Sequence, residues 1–256
     1  MTPPGGDCGE IAVPATRCLF ASDLHGRERR YAALFGTIES SRPAAVFLGG
    51  DLLPHRMFDQ DEGDFFATVL VPGLTRLKSR LGGDAPKIFV IAGNDDDRAS
   101  EPKFLEIERE GLWVYLHENW DAVGGHPVFG YSYVPPTPFQ LKDWERYDVS
   151  RSIDPGCVSP EGGQRTVPVD PDVIRYGTIA SDLDRLAEGR ELDRAILLFH
   201  SPPYRTPLDR AALDGRSVDH VPLDVHVGSI AIQRFIEERQ PLLTLHGHIH
   251  EAPRLT

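Results

Sequence analysis

The stretch 245–253 reads Leu-His-Gly-His-Ile-His-Glu-Ala-Pro and completes an apolar run of Leu242, Leu243 and Leu245. Neutral imidazole is a good ligand for Zn, Fe, Ni, Co or Mn. Alternate side chains of an extended segment share one face, so His248 and His250 are expected to aim into one small volume. Taken alone, the pattern fits solvated histidines at a polar strand end better than a metal site. Four other segments repeat its logic. Asp23 and His25, two apart, follow the apolar Cys-Leu-Phe-Ala of 18–21, and Gly50-Asp51 follows 44–48. Gly93-Asn94, continuing into Asp95, Asp96 and Asp97, follows 88–91, while His200 follows 195–199. Three consecutive carboxylates repel one another unless a cation is near. Each motif alone is weak. In open α/β sheets, however, ligands bind beyond the carboxyl ends of strands. Five such ends in one chain therefore point to a shared dinuclear site of oxygen and imidazole ligands without thiolate.

Strands and helices must alternate to bring these ends together. Buried strands are expected at 16–21, 44–48, 88–91, 195–199 and 242–245, each a short apolar run. Helices are expected at 29–41, 64–80, 103–110, 176–186 and 230–239. In the last, Ser229 suits the N-cap, and Ile232, Phe235 and Ile236 form the buried face. Short strands are expected between 112 and 133. The alternation makes the fold class α/β. Residues 134–173 form the one long irregular insertion, with Pro135, Pro136 and Pro138 and the run Lys142-Asp143-Trp144-Glu145. A loop of this length in a compact domain is more often functional or mobile than decorative.

The remaining composition narrows the class. With 256 residues, 40% hydrophobic and 26% charged, the chain is that of a folded globular protein. No apolar run reaches the length of a bilayer span, so no membrane partner is expected. Residues 1–14 lack the apolar core of a signal peptide and read as a flexible tail before a domain at 15–256, which suggests a cytoplasmic protein. Cys8, Cys18 and Cys157 suggest neither a disulfide framework nor a thiolate site. The net charge of −12 makes long nucleic acid an improbable partner. It leaves room for a small phosphoester substrate, because a local metal cluster can override the global field. Nothing in the sequence specifies an oligomeric state.

The ordered set of motifs resembles the calcineurin-like metallophosphoesterase superfamily over nearly the whole chain. The Tyr-Val-Pro-Pro-Thr-Pro-Phe stretch, Lys142-Asp143-Trp144-Glu145 and His226-Val-Gly-Ser look most like its Icc-related bacterial and archaeal phosphoesterases. The resemblance implies two packed mixed β-sheets flanked by helices, a four-layer αββα fold. It assigns Asp23, His25, Asp51 and His250 to one metal ion, and Asp51 as a bridge, Asn94, His200 and His248 to the second. The cofactors would be two divalent ions among Mn, Fe, Zn, Co and Ni. The implied activity is hydrolysis of a phosphodiester, or an activated phosphomonoester, by a hydroxide generated between the metals. Asn94, Asp95 and Asp96 would be catalytic, with Arg27 and His226 contacting substrate. One position departs from the family: Asp95 stands where most relatives place a histidine that assists the leaving group. An alternative is therefore a regulatory protein that binds metal and nucleotide with little turnover. Relatives also continue beyond the point corresponding to Pro253, so the second sheet is expected to lack its C-terminal strands.

Overall fold

The computed structural model describes residues 16–55, 64–213, 215–218 and 220–250; the expected tail at 1–14 lies outside them. Two four-stranded sheets pack face to face between helices. The first contains β1 (Cys18–Ala21), β2 (Ala45–Gly49), β3 (Lys87–Ile91) and β4 (Val114–Tyr115), side by side in that order and all parallel. The second contains β5 (Asn119–Val123), β6 (His126–Tyr131), β7 (Ile196–Phe199) and β10 (Leu243–His246). Its order is β10-β7-β6-β5, parallel except for the antiparallel pair β5 and β6, so this sheet is mixed. A two-residue pair, β8 (Ser217–Val218) and β9 (Val221–Pro222), stands apart.

Continuous apolar runs suit strands covered on both faces. In β2 and β3 the period of two divides them. Val46, Leu48, Ile88 and Val90 face helices α1 (Glu28–Ser41), α2 (Val71–Leu81) and α3 (Glu101–Arg109), whereas Ala45, Phe47, Phe89 and Ile91 fill the layer between the sheets. There Phe47 and Phe89 stack with ring centroids 5.2 Å apart. In the second sheet Ile196 and Leu198 face inward. Leu197 and Phe199 pack on α5 (Ile179–Leu186) and α6 (Ile230–Arg239). The resulting layers are helix, sheet, sheet, helix, as the resemblance implies. Truncating a ring such as Phe47 to alanine would cost roughly 3–5 kcal/mol, because the cavity cannot close between two sheets. No described helix is long and apolar enough to cross a membrane.

Three expectations change in detail. The helix expected at 176–186 is two: α4 (Pro171–Tyr176) ends at Gly177, which is extended, and Thr178 caps α5 through a capping box with Ser181. A local side-chain cap outcompetes helix continuation there. The strand expected to be buried at 242–245 is β10, at one edge of the described sheet, and Leu242 and Leu243 are 55% and 44% exposed. Apolarity alone does not separate an edge strand from a central one. The insertion after β6 has little regular structure but is tightly packed. Trp144 is buried, and Asp143 accepts hydrogen bonds from the Arg98 amide and from both the amide and hydroxyl of Thr166.

Candidate metal centre

The five strands β1, β2, β3, β7 and β10 deliver their C-terminal residues to one rim. Alternation predicts extended backbone beyond each strand, but the turns there are left-handed. Asp23, His25, Asp51 and His248 have φ of 57°, 48°, 53° and 75°. Non-glycine residues in that region cost about 1–2 kcal/mol each. Such strain persists where surrounding contacts enforce it, and it concentrates at functional sites. Here the contacts are backbone hydrogen bonds between the two loops: Asp23 N–H to Gly50 O (3.0 Å), His25 N–H to Asp51 O (2.8 Å) and Gly26 N–H to Leu52 O (2.8 Å). Gly93 has a separate reason to be glycine, since a Cβ there would lie 2.2 Å from Asp51 Oδ1.

The side chains form two adjoining groups that suit metal ions. In the first, Asp23, His25 and His250 bring ligand atoms within 4.8 Å of one another. His25 Nε2 and His250 Nε2 are 3.1 Å apart, and His250 Nε2 is 3.5 Å from Asp23 Oδ1. The second group is Asp51, His200 and His248. A third, His25, Asp51 and Asp95, overlaps the other two and shows that they share a border. The side chain of His250 is 54% exposed while that of His200 is fully buried, so the first group is the open side of the site.

His200 supplies a direct test of whether a cation fits. Its Nδ1 lies 2.7 Å from Gly49 O; a carbonyl only accepts, so Nδ1 carries hydrogen. The other nitrogen, Nε2, faces Asn94 Oδ1 at 3.1 Å and Asp51 Oδ2 at 3.4 Å. A neutral ring would thus aim a lone pair at two acceptors. Burial alone would lower the His200 pKa, but the Asp51 carboxylate and the Gly49 hydrogen bond outweigh it and push it up to about 10. Burial likewise works against the Asp51 charge, yet His200, His248 and the Asp95 amide hold its carboxyl well below the usual range. For His248, burial and the charge on His200 together push the ring down to about 3, the neutral form a metal requires. The pocket between these groups calls for positive charge, and a divalent ion fits it.

The surrounding residues divide into those that join the groups and those that do not. Asn94 contributes its carbonyl oxygen beside His200, and its amide donates to Asp95 Oδ1 (3.1 Å). Asp95 Oδ2 lies 3.2 Å from His55 Nε2 and 3.6 Å from His25 Nδ1. Asp96, expected to be catalytic, holds the two turns together. It is buried and accepts the backbone amides of Leu52, Leu53 and Gly93, clamping the β2 turn to the β3 turn. Arg27 and His226 are not brought to either group. Arg27 is exposed at the start of α1, and His226 Nδ1 is 2.7 Å from Asp209 Oδ1. The arginine that reaches the site's backbone is Arg30, which donates to Asp23 O. Helical side chains lean toward the N-terminus of their helix, so a first-turn arginine one turn further on was the one to expect. His246, third of the alternating histidines, packs flat on Phe199 (5.7 Å) with Nδ1 against Ser201 O, and burial pushes it down to about 4.

Two packed sheets between helices, with carboxylates and imidazoles gathered at the strand ends, make a protein whose donor set suits divalent metal ions. Residues 16–252 match the model of the calcineurin-like phosphoesterase family, and the chain belongs to that family. One solved crystal structure superposes with a TM-score of 0.56 at 16% identity, covering 94% of this chain and 86% of its own. The crystal structure of TT1561 of Thermus thermophilus gives 0.48 at 16% identity, over 91% and 81%. At these identities the first likeness speaks for the fold alone. No curated protein matches the sequence.

Proposed function

We propose that the chain is a dinuclear metal-dependent phosphoesterase that hydrolyses a phosphodiester or an activated phosphomonoester. The observation that supports this above others is the pair of adjoining carboxylate–imidazole groups that meet at His25 and Asp51. Asp23, His25 and His250 would hold one divalent ion, Asn94, His200 and His248 the other, with Asp51 shared between them. When bound, such ions lower the pKa of water and neutralise charge on phosphoryl oxygens. Their charge of +4 against the two carboxylates Asp23 and Asp51 leaves a cationic site in a chain of net charge −12. That local field attracts an anionic substrate to the open, His250 side. The all-oxygen-and-imidazole donor set suits Mn, Fe, Zn, Co or Ni.

The protein's own groups set the substrate preference. Asp96 fixes the turn that carries Asn94, and the Asp95 amide donates to Asp51 Oδ1 at 2.8 Å. Burial and the Asp51 charge raise the Asp95 carboxyl while His55 and His25 pull it down; beside two bound dications it would be ionised, an acceptor and a poor proton donor for a departing alkoxide. Diesters and aryl phosphates, whose leaving groups need little protonation, suit this site best. Its position also supports a second reading, a regulatory protein that binds metal and nucleotide and turns over little. Metal analysis of purified protein, followed by hydrolysis of bis(4-nitrophenyl) phosphate with added Mn, separates the two. Two ions per chain with metal-dependent release of nitrophenol supports the esterase. Two ions without turnover supports the regulatory protein, and no bound metal overturns both.

A further inference from the structure

A cleft of about 500 Å³ is lined by Arg98, His117, Glu118, Tyr133, Arg146 and Arg185, among others. His117 follows β4, the neighbour of the strand that delivers Asn94, and Tyr133 follows β6, the neighbour of the strand that delivers His200. Adjacent strands lie about 4.8 Å apart, so the cleft starts roughly one strand spacing from the centre. Its walls are unusually rich in hydrogen-bond donors. The Arg146 guanidinium stacks 4.2 Å above the Tyr133 ring, and that of Arg98 lies 5.1 Å over the Trp144 ring. Stacking fixes the plane of each fork and leaves its edges available. Arg98 directs two of its side-chain N–H groups, to Glu101 (3.3 Å) and Tyr133 Oη (2.9 Å), and Arg146 directs one, to Asp182 (2.5 Å). Each guanidinium has five.

His117 points the same way. Its Nδ1 accepts the Ser132 amide at 3.2 Å, so the ring hydrogen sits on Nε2. That donor meets no acceptor among the described residues. Burial, reinforced by the charges of Arg98 and Arg146, holds the ring neutral. Behind the cleft wall, Ser132 Oγ and Trp144 Nε1 are buried without hydrogen-bond partners, and the Trp144 ring packs edge-on to His117 at 4.8 Å; neither residue lines the cleft. Glu118 also lines the cleft, but it is paired with Arg185 at 3.4 Å; three arginines and a ring N–H against that one lining carboxylate favour an acceptor-rich ligand, and paired forks match the flat oxygen pairs of carboxylate or phosphate. Val169 and Val173 add an apolar wall, and the volume is that of a small-molecule site.

We propose that this cleft binds the carboxylate or phosphate group of a small organic anion, at a site separate from the metal centre. The ligand is either a second anionic group of the phosphoester substrate or an independent effector. Calorimetric titration of the full chain carrying Asp51→Ala, stripped of metal on a chelating resin that is removed beforehand, uses inorganic phosphate and malonate as probes. Saturable binding of one anion per chain is expected for at least one probe. Adding Arg146→Gln should weaken it at least about tenfold, the effect of losing a charge-assisted hydrogen bond. His117→Phe keeps the ring volume, leaves the arginine ion pairs intact and should weaken binding severalfold, which guards against misfolding of the arginine variant. Absence of saturable binding with both probes, or binding indifferent to both substitutions, overturns the proposal. None of these readouts needs turnover, so they stand or fall apart from the esterase assignment. With metal-loaded wild type and Arg146→Gln compared, a malonate effect on KM that is lost in the variant marks the cleft as part of the substrate site, and an effect on kcat that is lost in the variant marks an effector site.

Discussion

Replacing Lys142 by methionine should unfold the chain far more readily than its place in an irregular loop suggests. Lys142 and Glu145 are both fully buried, with Nζ 2.5 Å from Oε2. Lys142 also donates to Thr137 O (2.9 Å), while the Thr137 amide and hydroxyl both donate to Glu145. Removing one partner of such a pair leaves an uncompensated buried charge, at a cost of about 3–5 kcal/mol. At about 2–4 °C per kcal/mol for a domain of this size, the midpoint should fall by roughly 6–20 °C. The double variant Lys142→Met, Glu145→Leu removes both charges but strands the amide, hydroxyl and carbonyl of Thr137 at about 1–3 kcal/mol each, so its loss should not depend on pH between 5.5 and 8 and should recover little of the stability.

The loss in the single variant must also depend on pH in a fixed direction. Burial raises the Glu145 carboxyl from 4.5 to about 7, against the opposing pull of Lys142 and Thr137. A folded pKa above the unfolded one means that the fold prefers the protonated form. The stability contributed is full below about pH 4.5 and is lost as pH rises through about 7. Lys142→Met removes a group that holds the pKa down, so the variant should be hurt less at pH 5.5 than at pH 8. Urea unfolding followed by circular dichroism at both pH values, at fixed metal concentration because bound metal stabilises the native state, measures this. A loss below about 1 kcal/mol at pH 8, or a larger loss at pH 5.5, would refute the reasoning.

Elemental analysis should find close to two transition-metal ions per reconstituted chain; Asp51→Ala should lose both and His25→Ala mainly one, whereas equal losses in the two variants would remove Asp51 as the shared ligand. Asp96→Ala strands three buried amides at about 1–3 kcal/mol each and should lower both the unfolding midpoint and metal content, with Asp96→Asn milder because the Leu52 and Leu53 amides keep an acceptor. Asp95→His should retain the metals and raise turnover of alkyl esters more than of aryl esters, by some part of the 10²–10⁴-fold typical of general acids. If Asp95→Ala abolishes activity with metals still bound, Asp95 is itself a working catalytic group and the substrate preference argued from it fails.

The candidate ligands were legible because each lies beside an apolar strand, and residue type plus spacing is local information. How they converge was not. Extended strand ends would turn His248 and His250 the same way by alternation alone. In the structure β10 stops at His246, and the left-handed turn at His248 sends it to Asp51 and His200 while His250 reaches Asp23 and His25. That turn is imposed from outside the segment: the His248 amide donates to both oxygens of Asp23, 225 residues away. No local propensity encodes such a constraint. The same holds for Lys142-Asp143-Trp144-Glu145, whose charges suggest a solvated loop until the Thr137 and Thr166 partners are seen to enclose them. In both places polar residues sit where their own segment would not put them, and distant backbone groups keep them there. The difference lies in what those contacts leave unsatisfied. Around Lys142 the acceptors and donors pair off, which is the signature of a brace. Around His200 two acceptors face one ring nitrogen, an arrangement that suits a cation, and around His117 the arginine forks outnumber the carboxylates that pair with them, which is the imbalance the proposed anion would correct.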